Sequence, residues 1–218
     1  MGISVDIRDV DDLLSSLAIV SAMLKRWHLD TSDWALLDGP AIKVVEHDFD
    51  SSAWRDHLNI YVVEERLPWR TKETELTIPP KGSAELGDIL RLTRQGIHMH
   101  LVPASRYYRA GFERAEIDLG SGLKAMVATL RGCSQVWAYK SVEIVDFEEL
   151  FRGDVERIVG ERIQRLDAAL RFSDDTDVRQ RLELLEAGYD EVRRRNATGA
   201  RELFRRAAGP AWEGVTRA

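Results

Sequence analysis

Four apolar residues, Trp34-Ala35-Leu36-Leu37, run directly into Asp38-Gly39-Pro40. Glycine permits a tight bend and proline cannot continue a hydrogen-bonded ladder, so the run reads as a short buried strand that must stop and turn at Gly39. Ahead of it, Val10, Leu13, Leu14, Leu17, Val20, Leu24 and Trp27 recur every three or four residues. That spacing predicts an amphipathic helix over residues 9–27 with one buried stripe. Beyond the turn, residues 41–45 fit either a helical turn or a strand, and residues 47–56 read as loop.

Two later segments alternate. In residues 57–63, Leu58, Ile60 and Val62 share one face and His57, Asn59 and Tyr61 the other, which predicts a strand presenting a polar row. Residues 97–102 give a second strand, halted by Pro103, with His98 and His100 on one face. Between them, residues 74–78 fit a short edge strand before Pro79-Pro80, and residues 83–95 a helix capped by Ser83 and stopped at Gly96. Residues 124–139 look helical, and residues 142–151 continue with another turn or two. Farther on, Val155, Ile158, Val159, Leu166, Ala169 and Leu170 keep helical spacing. After a break at Ser173-Asp174-Asp175 so do Val178, Leu182, Leu185, Tyr189 and Val192, and a last short helix spans about residues 198–207. Two or three antiparallel C-terminal helices are implied.

At 218 residues, 44% hydrophobic and 31% charged, the chain can bury roughly 70% of its unfolded surface. It is neither disordered nor low in complexity. Its longest apolar stretch, around Leu17–Leu24, is far short of the roughly 20 residues that span a membrane. The start carries Asp6, Asp9, Asp11 and Asp12 rather than a basic leader, and the single Cys133 cannot close an internal disulfide. These features lead us to expect a cytoplasmic protein. Residues 1–150 hold 17 Lys and Arg against 24 acids, whereas residues 151–218 hold 14 Arg, no Lys and 13 acids. That shift predicts a boundary near Leu150, with one domain over 1–150 and a helical one over 151–218. The net charge of −6 does not indicate nucleic-acid binding by the surface as a whole, and Arg193-Arg194-Arg195 reads first as a solvated helix face. Dinucleotide-binding, Walker, His-Glu-x-x-His and Cys-x-x-Cys patterns are all missing.

The order of elements resembles the nucleotidyltransferase fold of the polymerase-β superfamily, in particular its small bacterial members. The resemblance covers roughly residues 9–150. It rests on Trp34–Leu37 entering Asp38-Gly39-Pro40-Ala41, on the strand His57-Leu58-Asn59-Ile60-Tyr61-Val62, on His100-Leu101-Val102-Pro103, and on Gly122–Ala128 followed by Leu130 and Lys140. Asp146–Leu150 resembles the family's following Asp-x-x-x-Leu stretch. The implied fold is α+β, a mixed sheet flanked by helices, with a C-terminal helical domain beside it. The resemblance also implies a phosphate-cradling turn at Gly39, with Asp38 in the place of one family glycine. Lys140 is then expected to reach a nucleotide phosphate.

Where the family carries metal-binding carboxylates, this sequence has His57, Asn59 and His100. Magnesium wants anionic oxygen ligands, and an amide with imidazoles holds it poorly, so ordinary two-metal transfer through these positions is not expected. It would return only if the strand register were shifted so that Asp56, Glu64 or Glu65 entered the site. Three readings follow. In the first, His57 and His100 act as general base and acid on a small molecule or nucleotide, with Asn59 holding a carbonyl or hydroxyl and Arg55 meeting an anionic group. A variant of this gives the imidazoles a Zn²⁺ or another transition metal, with Asp48 or Asp50 nearby. In the second, the cleft is a relic filled by side chains such as Trp54 or Tyr61, and the protein binds a partner or itself through the C-terminal helices. In the third, it is a conventional Mg²⁺-dependent nucleotidyltransferase whose acids lie elsewhere. Tyr107 and Tyr108 beside Arg106 and Arg109 read as a partly buried surface pair rather than a base-stacking platform. Cys133 reads as an inert small residue.

Overall fold

A computed structural model describes residues 10–46, 58–63, 99–143, 155–171 and 173–209. The elements predicted over residues 74–78 and 83–95, together with most of residues 142–151, lie outside these. The chain divides into two compact units: a sheet unit of Met1–Ser105 and Arg114–Thr129, and a helical unit of Arg106–Glu113 and Leu130–Ala218. The helical unit therefore takes in Leu130–Glu143, which precedes the boundary expected near Leu150. The protein is mixed α and β.

In the sheet unit, α1 (Val10–Arg26) buries Leu13, Leu17, Val20, Met23 and Leu24 along the predicted stripe. It ends with His28 in the left-handed region at φ 60°, and Leu29 N–H returns to the Leu24 carbonyl at 3.0 Å, satisfying carbonyls that the last turn leaves open. A 3-10 turn (Thr31–Asp33) leads into β1 (Trp34–Leu37), whose four residues are all buried. The remaining strands are β2 (Leu58–Val62), β3 (Met99–Pro103), β4 (Arg114–Asp118) and β5 (Lys124–Ala128). The sheet runs β3-β2-β1-β5-β4, with β1/β2 and β4/β5 antiparallel and β2/β3 and β1/β5 parallel. Because β1 is central and hydrogen-bonded on both edges, an all-apolar run suits it.

Two predictions need correction. The chain makes no free-standing turn at Gly39, because β1 passes straight into helix α2 (Asp38–Glu46). The bend is made by Asp38 at φ 62°, and Pro40 falls in the first helical turn, where its missing N–H is no loss. Residues 41–45 are accordingly helix. The stretch 124–139 is also not one helix. Residues 124–128 form β5, which pairs with β4 across a hairpin, and Leu130–Glu143 form a separate helix. The hairpin closes through Leu119 N–H to Leu123 O at 3.0 Å, with Gly120, Ser121 and Gly122 all at positive φ, a conformation only a short glycine-rich loop adopts cheaply. Strand β4 has no counterpart among the predicted elements. The Ser21 hydroxyl of α1 donates to the Lys124 carbonyl of β5 at 2.7 Å.

The helical unit holds most of α3 (Ser105–Ala110), then α4 (Leu130–Glu143), α5 (Val155–Leu170), α6 (Thr176–Arg193) and α7 (Ala197–Ala208). The C-terminal helices match their predicted spacing, with Val178, Leu182, Leu185, Tyr189 and Val192 of α6 and Phe204 of α7 buried. Asp175 caps α6 by accepting from Asp177 N–H at 2.9 Å and Val178 N–H at 3.3 Å, and Asn196 caps α7 by accepting from Gly199 N–H at 3.1 Å. At the far end of α7 the Arg181 guanidinium donates to the Ala207 carbonyl, placing a cation at the negative end of the helix. Helices α6 and α7 approach so closely that a Cβ at Gly188 would overlap the Phe204 ring.

Candidate functional site

The sheet register brings the expected positions together. Antiparallel pairing places Leu37, the last residue of β1, opposite Asn59 on β2, and parallel pairing places Asn59 opposite His100 on β3. Neighbouring strands lie about 4.8 Å apart and directly opposed residues share a face. Leu37, Asn59 and His100 thus form one transverse row at the end of the sheet where β1 stops and β2 and β3 begin. Asp38 and Gly39 follow immediately as the opening of α2. Two of the three predicted catalytic positions and the predicted anion-binding turn therefore converge on one sheet end. His57 and Arg55 precede β2 and lie outside the described residues.

Asp38 sits in the left-handed backbone region. Its φ of 62° is one that glycine adopts freely and that costs other residues about 1–2 kcal/mol, aspartate being among the more tolerant. Its side chain is buried, at 6% exposure. Lys140 lies in the last turn of α4, half-buried, and belongs to the helical unit. One residue was missed by sequence reasoning. Lys43, on α2 between the buried Ile42 and Val44, is only 9% exposed. Lysine is rarely buried, and nothing in a lone helical lysine announces it; the flanking apolar residues were the only signal.

The predicted polar row is partly overturned. Tyr61 is 0% exposed, as are Leu58, Ile60 and Val62, so β2 is buried on both faces at these positions rather than open on one. As an interior strand between β1 and β3, it is paired along both edges, over Asn59–Val62 with β1 and Leu58–Val62 with β3.

Chemistry at the row follows from residue type. An amide and an imidazole at positions 59 and 100 do not supply the anionic oxygens that a pair of Mg²⁺ ions requires, so the pair does not fit the metals of the resembled family. Among the described residues no group of three or more His, Cys, Asp or Glu is placed to hold a metal ion.

The clearest perturbed groups lie elsewhere. In the helical unit Arg131 is paired with Asp175 and sits 3.8 Å from carboxylate oxygens of both Glu113 and Asp177. The Arg131 hydrogen bond, with the Val178 and Asp177 backbone N–H groups, holds the Asp175 carboxyl below the usual carboxylate range. Burial raises the Tyr139 phenol, whose hydroxyl donates to the Gly111 carbonyl at 2.9 Å. Tyr107 stacks on Tyr139 with ring centroids 6.2 Å apart, and Tyr108 meets Phe112 edge-on at 5.2 Å, so both rings are engaged within the protein. Cys133 is fully buried. No described helix is long and apolar enough to cross a membrane.

Comparison with known proteins returned no matching family model, no matching curated protein and no matching solved structure.

Proposed function

We propose that the sheet unit is a divergent nucleotidyltransferase-like domain that binds a nucleotide or related small molecule where β1 enters α2, and acts on it through His57, Asn59 and His100 in place of a carboxylate-held metal pair. The observation that carries this reading is the register: Leu37, Asn59 and His100 stand in one row, with Asp38-Gly39 directly beyond. The left-handed Asp38, at a position the family gives to glycine, supports it further. In this reading the N-terminus of α2 faces an anionic group of the ligand, while the two histidines exchange a proton with it near neutral pH.

The test is a thermal-shift titration with each nucleoside triphosphate, with and without Mg²⁺, Mn²⁺ and Zn²⁺. A ligand at about 100 times its Kd adds roughly 2.7 kcal/mol of stability. A shift with one nucleotide that His100→Ala removes supports the reading. No shift with any of them in a cooperatively unfolding protein defeats it.

A second reading, a binding protein without turnover, draws on two observations. Tyr61 is fully buried next to the row, and an acidic side chain is buried at the turn where a triphosphate would be cradled. Under this reading the histidine variants keep partner binding intact.

A further inference from the structure

The arginines of the C-terminal helices are segregated. Within residues 174–192 seven acids face two arginines, and within residues 193–206 six arginines face one acid. Arg193 and Arg194 are each held by a carboxylate of the preceding turn, Asp190 at 3.2 Å and Glu191 at 2.6 Å. Arg195, Arg201, Arg205 and Arg206 are exposed, Arg195 and Arg201 while engaged in contacts within the protein. On α7 the positions 198, 201, 202, 205 and 206 fall within one arc of the helix, opposite the buried Ala200, Phe204 and Ala207. That arc presents Thr198, Arg201, Glu202, Arg205 and Arg206. Arg205 and Arg206 make no ion pair among the described residues.

We propose that this arginine face binds the phosphodiester backbone of a nucleic acid. Three features favour that occupant. The cations are all arginine, whose planar fork engages phosphate oxygens in pairs, where a lysine offers only a point charge. The arc itself carries no large apolar side chain to enter a lipid interface: Ala200, Phe204, Ala207 and Ala208 are buried, and the half-buried Leu203 lies at its border. The strip also has the right dimensions. At about 1.5 Å per residue α7 is roughly 18 Å long, the length of about five stacked nucleotides. The inference is independent of the row at the sheet end.

Fluorescence anisotropy of the full chain with labelled 12-nucleotide single-stranded RNA, the same sequence as DNA, and a 12-base-pair duplex tests it. Arginines engaging about four phosphates of a single strand give a slope of log K against log salt near −3, a loss of about 60-fold between 50 and 200 mM salt. The triple variant Arg201→Gln/Arg205→Gln/Arg206→Gln, with unchanged circular dichroism, should weaken binding at least 10-fold and flatten that slope. Lys25→Gln, which removes an exposed cation from α1, should change neither. The proposal is overturned by any of three results: no binding to the three nucleic acids at 50 mM salt, a triple variant that binds as the parent does, or binding to vesicles of anionic lipid without binding to nucleic acid.

Discussion

Arg131, in the first turn of α4, holds the carboxylate of Asp175, and that same carboxylate accepts the Asp177 and Val178 N–H groups as the cap of α6. One side chain therefore ties the start of one helix to the start of another.

Asp175 titrates lower in the folded protein than its free value of about 3.9. Its stabilisation is present above that value and is lost as pH falls through the lower folded value. Asp175→Ala should therefore melt below the parent at pH 7, and the gap between the two should close as the pH is taken down to about 2. A gap that stays constant with pH would contradict the assigned role. Thermal melts monitored at 222 nm from pH 7 to pH 2 read it directly.

Gly188 is fixed by the Phe204 ring. Gly188→Ala should cost about 1–3 kcal/mol through overpacking, and Phe204→Leu in the same chain should return part of that loss. Urea unfolding of both single variants and the double variant gives the coupling; simple additivity would mean the two side chains do not share space.

Asp38 adopts a backbone conformation suited to glycine. Asp38→Gly and Asp38→Ala both remove the carboxylate, so the difference between them isolates the backbone. The glycine variant should be the more stable by about 1 kcal/mol. Equal midpoints in denaturant would show that residue 38 does not hold a positive φ in solution.

Asn59 and His100 are direct neighbours across β2 and β3. Replacing both with aspartate sets like charges opposite each other, which costs about 0.2–1 kcal/mol, and also creates the anionic oxygens that Mg²⁺ seeks. The double variant should melt below the parent in EDTA and recover with millimolar Mg²⁺, while the parent shows no such recovery. A variant blind to Mg²⁺ would separate the two positions in space.

Much of this was legible from residue spacing. Trp34–Leu37 could only be a short strand, because four apolar residues were closed off by glycine and proline, and the α6 stripe from Val178 to Val192 declared its helix over four turns. Lys124–Ala128 misled because Ala125, Met126, Val127 and Ala128 run into the helical spacing of α4, and a short apolar run cannot distinguish strand from helix. Its partner β4 was invisible for the opposite reason: Arg114, Glu116 and Asp118 make it a charged sheet edge with little apolar signal, as edge strands often are. At the sheet end the residue types were readable and their alignment was not. Register belongs to pairing between strands distant in sequence, and so does the burial of Tyr61, while that of Lys43 comes from the packing of α2.

The pairing of Leu36 with Val127 also governs how the protein comes into being. The central strand precedes its partners in the chain, and one of its two edges stays open until the hairpin of β4 and β5 has been synthesised. Contacts of such long sequence separation form slowly, because a large loop must close before any of them is rewarded. During that interval β1 is an apolar, half-paired strand on a growing chain, so mutations that delay the Gly120–Gly122 hairpin should lower the yield of folded protein more than its final stability.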